Sequence, residues 1–406
     1  MAAVSKRLII VGGGPAGMMA GLLFARAGVE TLVLEKHGDF LRDFRGDTVH
    51  PSTLALFREL GLIEGLLGRP HDKVSSITGK VAGKDLRIAD FSHLPVIDRF
   101  VAMMPQWEFL DFVVGQARNH RAFSVRMNAQ ASGVTFDQKG RVDGVTLSNG
   151  ERLPADLVIA ADGRRSVLRD AAALPLLDLG APMDVFWFRL PKHRDEDNHT
   201  TGIFDAGRIL VLIDRGDYWQ MAYVFAKGEA DAVRARGLPA FRAEIVRLAG
   251  DLAPNVEALQ DWEDVKLLSV ALDRLTRWHR PGLLAIGDAA HAMSPVGGVG
   301  INLAVQDAVA AANILAAPLA AGENVDALLG VVQARRMFPT RVIQGVQKIA
   351  HDRIIGALLQ PDARLERPPL ALRLLDRFPL LQRIPARLIG LGVRREHIRS
   401  PDAGTI

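Results

Sequence analysis

The chain has 406 residues, 49% apolar and 24% charged, the composition of a globular protein long enough for roughly two or three domains. It has no Cys, which excludes disulfides, thiolate nucleophiles and thiolate metal sites, and no metal centre is expected. No apolar stretch reads as long enough to span a bilayer, and only Met1–Lys6 precede the first apolar run, so integral membrane association and a signal peptide are not expected and the chain is read as cytoplasmic.

Leu8–Val11 is a short apolar run of the kind a buried parallel strand needs. Gly12, Gly14 and Gly17 follow with G-x-G-x-x-G spacing, and Pro15 to Ala27 is a run of helix formers with Pro15 in its first turn. Gly28 closes that helix, and Thr31–Glu35 reads as a second buried strand ending in a carboxylate. Gly12 permits the tight turn, Gly14 lets the backbone approach a pyrophosphate, and Gly17 lets helix and sheet pack closely. Pro15 and Ala16 open the helix whose unpaired N–H groups face the phosphates. Glu35, 18 residues past Gly17 and followed by Lys36, stands where a carboxylate accepts hydrogen bonds from ribose hydroxyls. The stretch predicts an ADP-containing dinucleotide and leaves open whether it is FAD or NAD(P).

Further on, Ser52 or Thr53 is expected to cap a helix through Leu54 to Leu60 that ends at Gly61. Arg42, Arg45, Asp47 and His50 sit in the connection before it, where side chains reach ligands more often than cores. Val74–Lys80 and Leu86–Phe91 alternate about Gly83-Lys84-Asp85 and suggest a hairpin. A helix follows Gln106, turns fall at Lys139-Gly140 and Asn149-Gly150, and Asp162-Gly163-Arg164-Arg165-Ser166 breaks the buried strand Leu157–Ala161. Pro182–Leu272 reads as a half-exposed sheet with strands at Val185–Leu190, Ile209–Ile213 and Tyr218–Phe225. Helices are expected there only at Pro239–Leu248 and Val256–Asp261. A buried strand returns at Leu283, Pro295–Gly300 is a rigid glycine-rich turn, and Asn302–Leu315 is an Ala-rich helix. From Val325 on, helices are expected to break at Pro339, Pro361, Pro368-Pro369, Pro379 and Pro385.

GDAAHAMSPVGGVGIN at 287–302, ADGRRS at 161–166 and MPQWEFLDF around Gln106 resemble, in order and spacing, motifs of the class A flavoprotein monooxygenases, the p-hydroxybenzoate hydroxylase family. The resemblance covers most of residues 7 to 315. It implies bound FAD, with NADPH or NADH as a transient electron donor. It also implies FAD contacts at Glu35, Arg45, Gln106, Asp162, Gly287, Asp288, Pro295, Gly298, Gly300, Ile301 and Asn302. Pro295 would lie near the flavin carbon that binds oxygen, and His50, close behind Arg45 on one loop, is expected near the isoalloxazine. These two are the candidate catalytic residues. Arg45 and Arg164 are candidate NAD(P)H contacts, while His291 is read as supporting its own loop. The implied reaction hydroxylates an aromatic or polycyclic small molecule with O2 through a C4a-hydroperoxyflavin. The rival readings are an FAD-dependent reductase, a halogenase-like enzyme and a non-catalytic flavin-binding sensor.

The expected fold is α/β: a Rossmann-like FAD-binding domain (1–73, 102–181 and 273–330) with an inserted antiparallel or mixed β-sheet substrate domain (74–101 and 182–272) and a helical C-terminal segment (331–406). Trp187 and Arg189 share one strand face and Trp219, Met221 and Tyr223 another, and these five are the candidate substrate residues. The net charge of +4 is less than the +5 of residues 363–406, which hold nine Arg against four acids. That tail has too few aromatics for nucleic acid. Its Leu and Arg interleave as on a membrane-surface helix, but the Pro breaks favour packing over the substrate domain or at a subunit interface, and a homodimer is compatible with this.

Overall fold

The computed structural model describes residues 6–41, 48–193, 200–205, 207–360 and 368–404. Its first layer is a six-stranded sheet in the order His279–Arg280, Leu283–Ala285, Leu157–Ala160, Arg7–Val11, Glu30–Leu34, Phe123–Arg126. All neighbours are parallel except the short edge strand His279–Arg280. Strands buried on both faces should be continuously apolar, and Leu8, Ile9, Ile10 and Leu157 to Ala160 are fully buried. Helix Pro15–Arg26 lies against helix Gly300–Ala320, and the antiparallel strands Ala131–Phe136, Val142–Leu147 and Arg152–Pro154 form a small sheet packed on Leu157–Ala160.

The second layer is a seven-stranded mixed sheet in the order Lys266–Ser269, Met183–Pro191, Tyr218–Ala226, Arg208–Asp214, Thr201–Asp205, Ser76–Val81, Lys84–Asp90. The hairpin read near residues 74–91 enters this sheet through parallel pairing of Ser76–Val81 with Thr201–Asp205. Side chains alternate between two different environments. Phe186, Phe188, Tyr223 and Phe225 are buried under helix Leu238–Leu248, where Phe241 packs edge-on against three of them. The other face, with Val185, Trp187, Val211 and Ala222, turns toward Val296 and the helical segments that follow residue 329.

Several local expectations are corrected. Helix Pro51–Glu59 begins with Pro51 at its first turn and His50 before it, so Ser52 and Thr53 are inside the helix and cap nothing. Val256–Asp261 forms only a short turn at Val256–Ala258. Pro339 lies inside the continuous helix Leu329–Ala350 and Pro385 inside Pro379–Gly390. In both cases the lost backbone bond is offset by packing, since Pro339 and Ala386 are buried. Among the described residues one segment, Val296–Ala320, is long and apolar enough by length and composition to cross a membrane, although Asn302, Gln306 and Asp307 interrupt it, as the expectation of no uninterrupted apolar stretch required. Of its most apolar window, 72% is buried within the protein, where it packs on Pro15–Arg26.

Candidate active site

The first turn is built by steric necessity. Gly12 has φ +109°, and a Cβ there would stand 2.2 Å from the Ala161 carbonyl oxygen. A Cβ on Gly17 would stand 1.9 Å from the Gly12 carbonyl oxygen, so the third glycine seats the helix on the turn itself. A Cβ on Gly14 would meet nothing within 4 Å, which leaves its backbone open to a ligand. Glu35 is buried at the end of its strand, with Oε2 accepting from Gly13 N at 2.8 Å and Oε1 from His37 N at 3.0 Å. Lys36 beside it is exposed.

The segment that resembles a flavin motif arrives at the same place. A Cβ on Gly287 would lie 2.9 Å from Ala16 Cβ, so this turn rests on the N-terminus of helix Pro15–Arg26. Asp288 is partly exposed and accepts from Arg164 Nε at 3.1 Å, joining the 161–166 and 287–302 motifs. Arg164 Nη1 is buried without an acceptor. Asn302, at the start of helix Gly300–Ala320, accepts from His50 N at 3.0 Å and Thr53 Oγ1 at 2.7 Å through Oδ1, which leaves Nδ2 buried without an acceptor. Gly298 presses on Thr48, whose hydroxyl donates to the Gly298 carbonyl at 2.7 Å. Pro295, Val296 and Gly297 remain partly exposed, whereas Ile301 is buried. Gln106, buried, opens helix Gln106–Ala117, and its amide makes no hydrogen bond among the described residues. An open backbone at Gly14, a buried ribose-type acceptor at Glu35, and unpartnered donors on Arg164 and Asn302 fit an FAD extended from the first turn to the 295–302 loop.

Other expected residues stand differently. Arg45, with Arg42 and Asp47, lies outside the described residues. The Asp162 carboxylate accepts from Ser166 Oγ at 2.5 Å and Leu168 N at 3.3 Å, so it holds its own loop, and burial raises its pKa. His50 does reach the 302 end of the loop through its backbone. Its ring Nδ1, however, faces the Ile389 carbonyl at 2.7 Å, and burial lowers its pKa to about 4 against the partial opposition of that hydrogen bond. Trp187 lies on the sheet face that meets Val296, Met103 and Ile389, with Nε1 buried and unpartnered, and Arg189 farther along the strand is exposed over the Tyr218 ring. Trp219, Met221 and Tyr223 are placed on the opposite face, under helix Leu238–Leu248. Strand period fixes this: Trp187 pairs with Ala222, so residues 220, 222 and 224 share its face and 219, 221 and 223 cannot. Tyr223 Oη instead accepts from Arg208 Nε at 2.6 Å.

Helix Leu329–Ala350 and the turn after it supply residues that sequence reading passed over. Gln347 Nε2 donates to the carbonyls of Ser294 at 3.0 Å and Val296 at 2.9 Å, and His351 Nε2 meets Ser294 Oγ at 2.8 Å. Asp307, wholly buried, receives His291 Nε2 at 2.6 Å, Gly287 N at 3.1 Å and Arg336 Nε at 2.8 Å. Burial pushes its carboxyl up, but His291 and Arg336 hold it below the ordinary range. Arg336 in turn reaches Glu396 at 3.4 Å. The signal was present as spacing alone: Arg336, Thr340, Gln344, Gln347 and His351 recur on one helical face.

Comparison with known proteins identifies the family. Residues 6–346 match the family model described as FAD binding domain. The chain is 31% identical over 402 residues to 6-methylpretetramide 4-monooxygenase of Streptomyces rimosus, covering 96% of this chain and 93% of that one. It is 27% identical over 377 residues to aklavinone 12-hydroxylase of Streptomyces peucetius, covering 83% and 72%. The crystal structure of PqsL, a probable FAD-dependent monooxygenase from Pseudomonas aeruginosa, shares the fold with a TM-score of 0.74 at 21% identity, covering 87% of this chain and 97% of that one.

Proposed function

The chain belongs to the FAD binding domain family of flavin-dependent monooxygenases, and from that premise we propose that it hydroxylates a polycyclic aromatic compound held between the 295–302 loop and the inner face of the seven-stranded sheet. Residues 1–73, 102–181 and 273–330 serve the cofactor in this reading, and 74–101 with 182–272 serve the substrate. The bound flavin supplies reduction by NADPH or NADH and activation of O2. The chain's own residues bind and orient. Glu35 holds the adenosine ribose, the Gly14 backbone and the helix N-terminus hold the pyrophosphate, and Asp288 with Arg164 holds the middle of the cofactor. Asn302 Nδ2 and the 297–302 backbone would hold the ring system, and Pro295 would stiffen that turn. His50, neutral at ordinary pH, fixes the C-terminal helix over this loop by donating to the Ile389 carbonyl.

The observation that carries the substrate reading is the inner face itself. Trp187 lies among Met103, Val211, Ile213, Val296 and Ile389, a surface suited to a flat apolar ring system. Its polar edge is oriented. Arg215 Nε donates to Gln220 Oε1 at 3.1 Å, which turns Gln220 Nε2 away as a buried donor without an acceptor, as Trp187 Nε1 is. Two such donors favour a substrate with an oxo or phenolate oxygen. In an assay of NADPH oxidation and O2 uptake, polycyclic phenols and quinones are expected to stimulate turnover and to take one oxygen atom from 18O2. Trp187→Ala should raise KM at least ten-fold, whereas Tyr223→Phe, changed on the far face, should leave KM unaltered. Stimulation by monocyclic phenols alone, or the reverse pattern of the two variants, refutes the assignment.

A further inference from the structure

Two helices near the C-terminus carry a short repeat that the fold leaves outside. In Leu370–Arg377 the residues Leu370, Arg373, Leu374 and Arg377 stand at i, i+3, i+4 and i+7, and ten residues on Leu380, Arg383, Ile384 and Arg387 repeat the spacing within Pro379–Gly390. This spacing places each set on one helix face. Both faces are open: Leu370 is 66% exposed, Leu380 67%, Ile384 66%, and Phe378 at the joint 51%. The opposite faces attach the helices to the protein. Asp376 accepts from Arg87 N at 3.0 Å, Gln382 and Ala386 are buried, and the Ile389 carbonyl meets His50.

The one acid of these two helices, Asp376, is exposed but stands outside both repeats and accepts from Arg87 N, and none of the four arginines has a carboxylate partner among the described residues. Exposed apolar side chains edged by arginines without carboxylate partners are complementary to a negatively charged apolar surface. A second copy of the chain does not supply one, because a two-fold contact through this face would set four arginines against four.

We propose that helices Leu370–Arg377 and Pro379–Gly390 dock the protein on an anionic bilayer, lying in the plane of the interface. Leu370, Leu374, Phe378, Leu380 and Ile384 enter the acyl boundary, and the arginines meet the lipid headgroups. The test is sedimentation of the flavin-loaded full chain with phosphatidylcholine vesicles, with and without phosphatidylglycerol. Binding is expected only to the anionic vesicles and is released by salt. Each arginine near an anionic surface contributes roughly five-fold to partitioning, so Arg373→Gln with Arg377→Gln should lower it about thirty-fold. Leu370→Ser with Ile384→Ser should weaken it even at low salt. Unchanged flavin absorbance and vesicle-free NADPH oxidation in these variants show that the fold is intact. Equal binding to neutral vesicles, or none to either, overturns the proposal. So does a doubled mass by light scattering that the same substitutions abolish without any vesicle binding, which would assign the face to a second copy.

Discussion

Asp307→Asn tests how the Gly287–His291 turn is held against the first helix. The carboxylate serves three donors from two oxygens: Oδ2 takes His291 Nε2 and Gly287 N, and Oδ1 takes Arg336 Nε. An amide of the same shape offers one acceptor oxygen, so whichever way it lies a donor faces a donor. Arg336 keeps only Glu396 at 3.4 Å while remaining 1% exposed. Removing one partner of a buried ion pair costs about 3–5 kcal/mol. With an unfolding entropy of about 2.1 cal/mol/K per residue over 406 residues, Tm of the flavin-free protein should fall by about 4–6 °C. FAD affinity, read by fluorescence titration, should fall at least ten-fold because Gly287 loses its anchor. The double change Asp307→Leu with Arg336→Met removes both charges and should recover most of the Tm but not the affinity. A Tm within one degree of the parent in Asp307→Asn, with unchanged FAD affinity, refutes the reasoning.

Two further outcomes separate fold from ligand. Gly17→Ala drives a Cβ into the Gly12 carbonyl and should abolish soluble folded protein, whereas Gly14→Ala meets nothing and should fold normally while losing FAD binding. Circular dichroism and flavin content distinguish the two, and normal FAD binding in Gly14→Ala would show that the pyrophosphate passes elsewhere. Burial lowers the His50 pKa from 6.5 to about 4, so between those values the unfolded chain binds a proton that the folded chain refuses, and stability rises with pH across the window. Going from about pH 7.5 to about pH 5 removes about 2 kcal/mol through this group. His50→Asn, whose amide can still donate to Ile389, should flatten that part of the urea-denaturation slope. The same slope in both proteins would place the acid sensitivity in other groups.

What the sequence made legible was local. Gly12, Gly14 and Gly17 lie within one turn, and their spacing alone specifies which may carry a side chain. The 287–302 run was legible for the same reason. Misreadings arose where distant packing decides. Pro339 looked like a helix end because propensity sees only its own turn, yet the helix runs on through it, fastened by Arg336 to Asp307 and by Gln344, Gln347 and His351 to the 291–296 segment. Trp219 and Tyr223 looked like pocket residues because strand alternation defines two faces without saying which one meets the cofactor layer. That is settled by helix Leu238–Leu248 covering one of them. The C-terminal segment was expected to pack over the substrate domain or at a subunit interface; its two helices do rest on strand Lys84–Asp90 of the substrate domain, but Leu370, Leu380 and Ile384 stay exposed because Gln382 and Ala386 take the buried side.

The place of the opening strand has a consequence for biosynthesis. Arg7–Val11 finds Glu30–Leu34 almost at once, but its other edge pairs with Leu157–Ala160, and that strand with Leu283–Ala285. At roughly 5–20 residues per second the ribosome needs roughly 7–30 s to reach the first of these partners, and about as long again for the second. During that interval a strand that is apolar from Leu8 to Val11 waits with a bare edge, the arrangement that invites pairing with another chain. The protein is therefore committed to its fold late, and its yield in a cell should depend on translation speed and on chaperones that shield the N-terminal hundred or so residues.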